Sequence, residues 1–119
     1  MPRRPLASSD VDAAFAALAD PVRRGVVELL CGGPRRAGEL AEAFALSAPA
    51  MSRHLRVLRT RGLVEEARVD DDARVRVYRL RRERFAELQS WLARVESFWT
   101  DQLDAFRVHA ERRARRRRS

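Results

Sequence analysis

Hydrophobic residues recur every three to four positions in four stretches of the first half of the chain, which is the spacing of amphipathic helices. Asp20-Pro21 separates the first two predicted helices, because the carboxylate caps free N–H groups and proline fits a first helical turn. Gly32-Gly33-Pro34 ends the second helix. A short third helix is predicted over about Ala37–Phe44, and a fourth from Ser47 to about Arg61.

The pattern changes after Gly62, a residue that commonly ends a helix. Leu63–Val69 and Arg74–Leu80 are β-prone, and they flank the turn-forming segment 70–73. A hairpin is therefore predicted, followed by one long helix from Arg82 to about Glu111. The expected fold class is mainly α with a small β-hairpin, in the order α-α-α-α-β-β-α.

The long helix carries an apolar stripe along most of its length. Its members recur by threes and fours, and no later segment is predicted to cover them. A partner helix is therefore expected against this stripe. The stripe contains Phe85, Leu88, Leu92, Val95, Trp99, Gln102/Leu103 and Phe106.

The length and composition predict one globular domain. The chain has 119 residues, of which 45% are hydrophobic and 35% charged, so a disordered or low-complexity chain is excluded. No apolar run approaches the ~20 residues of a bilayer span, and the first residues do not form a secretory signal, so no membrane partner is expected. The single cysteine, Cys31, agrees with a reducing, cytoplasmic location. It is interpreted as a small, partly buried apolar residue, with a redox switch as the alternative.

The positive charge is concentrated in two places. The net charge is +8, and residues 112–118 alone contain six arginines and no acid. Residues 34–61 contain six arginines and two glutamates, a local charge of +4. These clusters indicate a polyanionic partner. We divide the chain into an N-terminal arm (1–8), a folded domain (9–111) and a basic tail (112–119), and the tail is either solvated or an arm that binds DNA without sequence preference.

Residues 37–61 have the spacing of a helix-turn-helix. Ala41 allows the two helices to approach closely, and Met51 closes the core between them. Ala45 occupies the turn position where glycine is usual, because that position favours positive φ. Alanine there is expected to cost on the order of 1 kcal/mol.

The second helix of this motif has one polar, basic face opposite Met51, Leu55 and Leu58. A helix fits the major groove of B-DNA, where its side chains reach base edges and phosphates. The alternative is an ordinary helical hairpin with a solvated arginine face. The predicted DNA-binding residues of this helix are Ala48, Ser52, Arg53, His54, Arg56 and Arg59, although His54 is interpreted equally as part of the motif's core.

A helix-turn-helix followed directly by a hairpin is the winged-helix arrangement, and here the sequence resembles the ArsR/SmtB-type bacterial repressors over roughly residues 10–106. The resemblance implies a homodimer built on the first and last helices, which binds an inverted-repeat operator and is released by a signal. The residues that carry it are Ala19-Asp20-Pro21-Val22-Arg23-Arg24, Glu39-Leu40-Ala41, Leu46-Ser47, Ser52-Arg53-His54-Leu55-Arg56-Val57-Leu58, Gly62-Leu63-Val64 and Tyr78-Arg79-Leu80.

The resemblance extends the expected dimer interface from the apolar stripe to the first helix. The full expected set is Phe15, Leu18, Phe85, Leu88, Leu92, Val95, Trp99 and Phe106. Aromatic residues beside the stripe, including Trp91 and Phe98, are interpreted as dimer core, with a ligand pocket as the alternative.

The wing departs from the family pattern. Three aspartates, Asp70–Asp72, occupy its tip, where relatives often have a Gly-Arg turn near the DNA backbone. Like charges repel, so the tip is expected to stand off the minor groove. Any backbone contact from the wing is assigned to Arg74 and Arg76.

The metal-sensing residues of the family are missing. Arg36 and Gly38 occupy the positions of the family's two thiol ligands, and neither side chain binds a soft metal. The family's second known metal site uses histidines of the last helix, but residues 82–106 contain no histidine. The chain's two histidines, His54 and His109, are far apart in sequence. No metal and no other cofactor is therefore expected, and the inducing signal stays open.

The sequence leaves two other classes of function open. The alternatives to a DNA-binding regulator are a basic helix that binds an acidic protein and a metal- or thiol-responsive sensor with a non-standard site. An enzyme is not expected, because the sequence has no nucleophile–base pair, glycine-rich phosphate loop or carboxylate dyad.

Overall fold

A computed structural model of the chain describes residues 9–69 and 72–118. These residues form two compact units, one ending at Ala86 and the other beginning at Glu87. The fold class is confirmed: five helices and one two-stranded antiparallel hairpin follow one another in the predicted order. The elements are α1 (Ser9–Leu18), α2 (Pro21–Leu30), α3 (Ala37–Ala43), α4 (Ala48–Thr60), β1 (Val64–Val69), β2 (Asp72–Leu80) and α5 (Arg82–Arg118).

The joint between α1 and α2 is capped from both sides. The Asp20 carboxylate accepts hydrogen bonds from two backbone N–H groups of the first turn of α2, and the bond from Arg23 is the main cause that lowers its pKa. The Arg23 Nε donates to the Ala17 carbonyl at 2.6 Å, and Arg24 Nη1 donates to the Leu18 carbonyl at 2.7 Å. Two of the carbonyls that α1 leaves unpaired at its end, those of Ala17 and Leu18, are therefore satisfied by side chains.

A compact apolar core lies beneath the helix-turn-helix. Its members come from α2, α3, α4 and the start of the hairpin, as the helical spacing predicts. Gly25 of α2 allows a close approach, since a Cβ there would lie 2.6 Å from Cε1 of Phe44. The largest fully buried side chains are Val26, Leu40, Met51, Leu55, Leu58, Leu63 and Val64.

The hairpin begins and ends at slightly different residues from those predicted. Leu63 is not part of β1, because its N–H donates to the Leu58 carbonyl at 2.9 Å and closes the end of α4. The first strand therefore begins at Val64, and the second begins at Asp72, two residues before the predicted Arg74. Strand pairing thus reaches into the segment that was predicted as turn.

The hairpin also holds the segment that leads into α3. Arg35 and Tyr78 exchange two backbone hydrogen bonds, with N···O distances of 3.1 and 2.7 Å. Tyr78 therefore pairs on one side with β1 and on the other with the chain just before α3. This pairing fixes the hairpin to the helix-turn-helix.

The last helix is longer than predicted. It continues past Glu111 to Arg118, for a total of 37 residues. Arginine and alanine are strong helix formers, and the segment contains neither glycine nor proline, so its high charge does not end the helix. Within the part of the chain that the structure describes, no helix combines the length and apolar character needed to cross a membrane.

Candidate nucleic-acid interface

The turn between α3 and α4 has the backbone geometry that the sequence predicts. Ala45 adopts a φ of 52°, the left-handed conformation expected there. The N–H groups of Ala45 and Leu46 donate to the carbonyls of Glu42 and Ala41 at 3.1 and 2.9 Å, which is the Schellman arrangement of a helix end. This turn sets the direction in which α4 leaves α3.

Helix α4 is divided into a buried and an exposed face. Ser47 caps its N-terminus, with Oγ accepting a hydrogen bond from the Ala50 N–H at 3.2 Å. Met51, Leu55 and Leu58 are at most 1% exposed. The exposed side chains include Ala48, Ser52, Arg53, Arg56 and Arg59, as the sequence predicts.

The exposed face of α4 is cationic. The helix contains three arginines and no acidic residue. Arg53 and Arg56 are both exposed, one turn apart, so their guanidinium groups project from the same side of the helix. Such a face has the charge and the shape to enter the major groove of a duplex.

His54 lies differently from its neighbours. Its side chain is half-buried, and its Nδ1 lies 3.4 Å from Nη1 of Arg23. Because a guanidinium only donates, a hydrogen bond here requires Nδ1 to accept. The contact joins α4 to the start of α2 and favours the core role over the DNA contact, which stays a prediction.

The end of α4 is joined to the hairpin through one carboxylate, Glu66 of β1. Its Oε1 accepts hydrogen bonds from Arg59 Nη1 at 2.6 Å and from the Tyr78 hydroxyl at 2.8 Å, and its Oε2 lies 3.3 Å from Arg76 Nη1. The Tyr78 hydrogen bond, followed by the two arginine charges, lowers the pKa of Glu66. We call these four residues the Glu66 cluster.

The strand register places three members of the Glu66 cluster, Glu66, Tyr78 and Arg76, on one face of the wing. Glu66 pairs with Tyr78 across the ribbon, and Arg68 pairs with Arg76 two residues along, so these four strand residues point to the same side. The fourth member, Arg59, reaches Glu66 from α4. Glu65 lies on the opposite face, where it binds Arg79 Nε at 2.8 Å.

The tip of the wing lies partly outside the described residues. The prediction that the aspartates stand off DNA falls on Asp70 and Asp71, which are outside them, and on Asp72 at the start of β2. Arg74 lies within β2, but its side chain is outside the described residues. The predicted contact by Arg74 therefore stays a prediction, whereas Arg76 is 60% exposed and belongs to the Glu66 cluster.

The predicted dimer residues fall into covered and exposed groups. Leu88 is only 7% exposed, and Leu18, Phe85 and Val95 are half-buried. On α5, by contrast, four large apolar side chains on one face are 52–72% exposed: Leu92, Trp99, Leu103 and Phe106. Phe15 of α1 is 41% exposed.

The cysteine and the two histidines, the candidates for metal or redox chemistry, are dispersed. Cys31 is exposed at the end of α2, not partly buried as the apolar interpretation expected. His54 lies in α4 and His109 in α5. Over the described ranges, no three histidine, cysteine or acidic side chains come together as a group that could hold a metal ion.

Glu66 and Tyr78 are not among the DNA-binding residues that the sequence predicts, although Glu66 contacts the predicted residues Arg59 and Arg76 and Tyr78 contacts Glu66. A cross-strand Glu–Tyr pair is visible in a sequence only when the register is known, and here the register shifts between Arg68 and Val69. Arg59 is predicted from the sequence as a DNA contact alone, although its guanidinium forms an ion pair with Glu66. The one signal in the sequence is a single glutamate, Glu66, among the arginines on the same face of the wing.

The sequence and the fold match one family of known proteins. The profile of the bacterial regulatory proteins of the arsR family matches residues 20–66, which span α2, the helix-turn-helix and the start of β1. The chain is 44% identical over 96 residues to the HTH-type transcriptional regulator Rv2034 of Mycobacterium tuberculosis, covering 80% of this chain and 83% of that protein. It is 41% identical over 54 residues to the transcriptional repressor SdpR of Bacillus subtilis, covering 45% of this chain and 60% of the repressor.

A solved structure agrees with this match. It is the homodimeric winged helix-turn-helix DNA-binding domain of a possible ArsR-family transcriptional regulator from Mycobacterium bovis, which is 28% identical to this chain with a TM-score of 0.58. The superposition covers 74% of this chain and 79% of that domain. With its helix-turn-helix, its wing and these relatives, the chain belongs to the arsR family and is a DNA-binding transcriptional regulator, not an enzyme.

Proposed function

We propose that the protein is a homodimeric repressor that binds an inverted-repeat operator through α4. The observation that carries the proposal is the exposed cationic face of α4, held in place by the Met51, Leu55 and Leu58 core. In a helix-turn-helix the second helix enters the major groove, with its N-terminal residues on base edges and nearby arginines on phosphates. Arg53 and Arg56 are therefore assigned to phosphate or guanine.

A second copy is the proposed cover for the exposed stripe of α5. Leu92, Trp99 and Phe106 are each more than half exposed, and burying such side chains is favourable by about 1.5–3 kcal/mol each. The Mycobacterium bovis domain is described as homodimeric, which supports the same assembly here. A two-fold dimer presents two copies of α4, and the operator is accordingly an inverted repeat with half-sites about one helical turn apart.

Repression and location complete the proposal. The relative from Bacillus subtilis is a transcriptional repressor. A dimer bound to a promoter would repress by blocking access of the polymerase. Arg36 and Gly38 leave the family's thiol positions without ligands, so the releasing signal is not metal bound there. We place the protein in the cytoplasm, where its DNA lies.

The proposal is tested by selecting genomic fragments with the purified protein and measuring their affinity at several salt concentrations. The double variant R53A/R56A is expected to weaken operator binding by at least tenfold while the dimer persists in sedimentation. The matched control, R94A/R107A, removes two exposed arginines from α5 and leaves operator preference unchanged. Equal affinity of wild type and R53A/R56A for the selected fragment would refute the assignment, and capture of acidic proteins without DNA would favour the protein-binding alternative.

A further inference from the structure

We propose that Glu66 is a positioning residue for DNA recognition: it holds Arg59 and Arg76 as a fixed pair, so that both reach the phosphates flanking one major-groove half-site. The inference rests on the proposed function and deepens it. A negative charge on the DNA-facing side of a protein ordinarily weakens binding to phosphates. Glu66 instead supports binding, because it positions two arginines.

The geometry of the Glu66 cluster carries this inference. Arg59 belongs to the last turn of α4, whereas Arg76 belongs to β2, so the two arginines come from the two elements that meet DNA in a winged helix. One carboxylate bridges them, at 2.6 Å to Arg59 and 3.3 Å to Arg76. The relative position of the two guanidinium groups is therefore set by Glu66.

The Glu66 carboxylate is itself held in place. The Tyr78 hydroxyl donates to its Oε1 at 2.8 Å, and Tyr78 is fixed on both edges by backbone pairing. The Glu66 side chain is 24% exposed, much less than those of its two arginine partners, at 46% and 60%. The Glu66 carboxylate is thus a fixed acceptor beneath two exposed donors. This arrangement is expected of a residue that positions the two arginines, and not of an ion pair between solvated surface side chains.

Both arginines keep the capacity to bind phosphate while they contact Glu66. Each guanidinium has five N–H donors in a fixed fork, and the structure gives one nitrogen of each to the carboxylate. The cluster retains one net positive charge, since two cations share one anion. Binding a ligand with side chains that are already ordered avoids the entropic cost of ordering them in the complex.

The decisive test compares E66Q with E65Q on the operator and on a random duplex. Both variants remove one negative charge from the same strand, but Glu65 lies on the opposite face and binds only Arg79 among the ion pairs described. Removing negative charge alone strengthens binding to any duplex. E65Q is therefore expected to raise both affinities modestly and equally.

E66Q is expected to behave in the opposite way on the operator. Its operator affinity falls on the order of tenfold, because the two arginines are no longer held together, while its affinity for random duplex is unchanged or higher. Y78F keeps every charge but frees the carboxylate, and is expected to lower operator affinity by a smaller factor. In an R59A/R76A background, E66Q is expected to cause no further loss.

The possible failures are distinguishable. If E66Q raises operator and random affinity equally, as E65Q does, Glu66 is only a surface charge and the inference is overturned. If E66Q still lowers operator affinity in the R59A/R76A background, Glu66 acts through the fold and not through the two arginines. If wild type itself shows no operator preference, or R53A/R56A binds normally, the proposed function fails instead.

Discussion

Replacing Ala45 with glycine is expected to stabilise the protein without changing what it binds. Ala45 has a φ of 52° in the turn that joins α3 to α4. An L-residue with a Cβ pays roughly 1–2 kcal/mol in the left-handed region, and glycine does not. The side chain of Ala45 is exposed, so the substitution removes no packing.

The net gain is smaller than the relief of strain. Glycine also increases the conformational freedom of the unfolded chain, which costs about 0.4–1 kcal/mol. The expected increase in the free energy of unfolding for A45G is therefore about 0.5–1 kcal/mol. Operator affinity is expected to be unchanged, because the backbone already has the conformation that glycine prefers.

Gly62 offers the matched control, because it ends α4 as Ala45 ends α3. It ends α4 with the same Schellman hydrogen bonds and a φ of 80°. A Cβ there would also lie 2.6 Å from Nη2 of Arg84, so that side chain would have to move. G62A is expected to lower the free energy of unfolding by more than 1 kcal/mol.

Urea denaturation at one fixed protein concentration measures both variants, because the stability of a dimer depends on concentration. A change in the midpoint at constant slope reports stability alone. The reasoning holds that alanine in the left-handed conformation of these two turns destabilises the fold. Destabilisation by A45G, or an unchanged midpoint for G62A, would refute it.

Three further predictions concern the basic helix end, the Glu66 cluster and the core. Replacing the five arginines within 112–117 by glutamine keeps helix propensity. The slope of log affinity against log salt concentration is expected to become shallower by about 0.9 per lost phosphate contact, at unchanged operator preference. An unchanged slope would show that the segment is solvated and does not bind DNA. Because the pKa of Glu66 is lowered from its ordinary 4.5, its carboxylate stabilises the fold above about pH 4.5, and this contribution is lost as the pH falls through the lowered pKa. The stability difference between wild type and E66Q in denaturation should therefore close on acidification, and a difference that grows would contradict it. Finally, G25A would place a Cβ 2.6 Å from the ring of Phe44 and is expected to destabilise the fold by about 1–3 kcal/mol; a thermal midpoint equal to that of wild type would contradict this.

The helix-turn-helix was largely predictable because its determinants are local. The burial of Met51 and Leu58 follows from their spacing along one helix, and the positive φ of Ala45 follows from its place in the turn. The joint at Asp20-Pro21 is likewise encoded in neighbouring residues. Such features need no knowledge of how distant segments meet.

The Glu66 cluster was not predictable for the opposite reason. It depends on the register of the hairpin, which shifts beside Arg68, and on the distance from the last turn of α4 to β1. The bridge between Arg35 and Tyr78 depends on the same tertiary arrangement. The end of α5 was predicted too early because the arginine run was interpreted as a separate tail, although arginine favours helix.

A hydroxyl-radical footprint on a selected genomic fragment, combined with the mass of the complex, tests the central claim most directly. Two chains per fragment are expected, with two protected segments whose centres lie about 10 base pairs, or a whole multiple of that, apart. R53A/R56A should lose both segments together. A single protected segment under one chain, or uniform protection of any duplex, would contradict a dimer that reads DNA with two copies of α4.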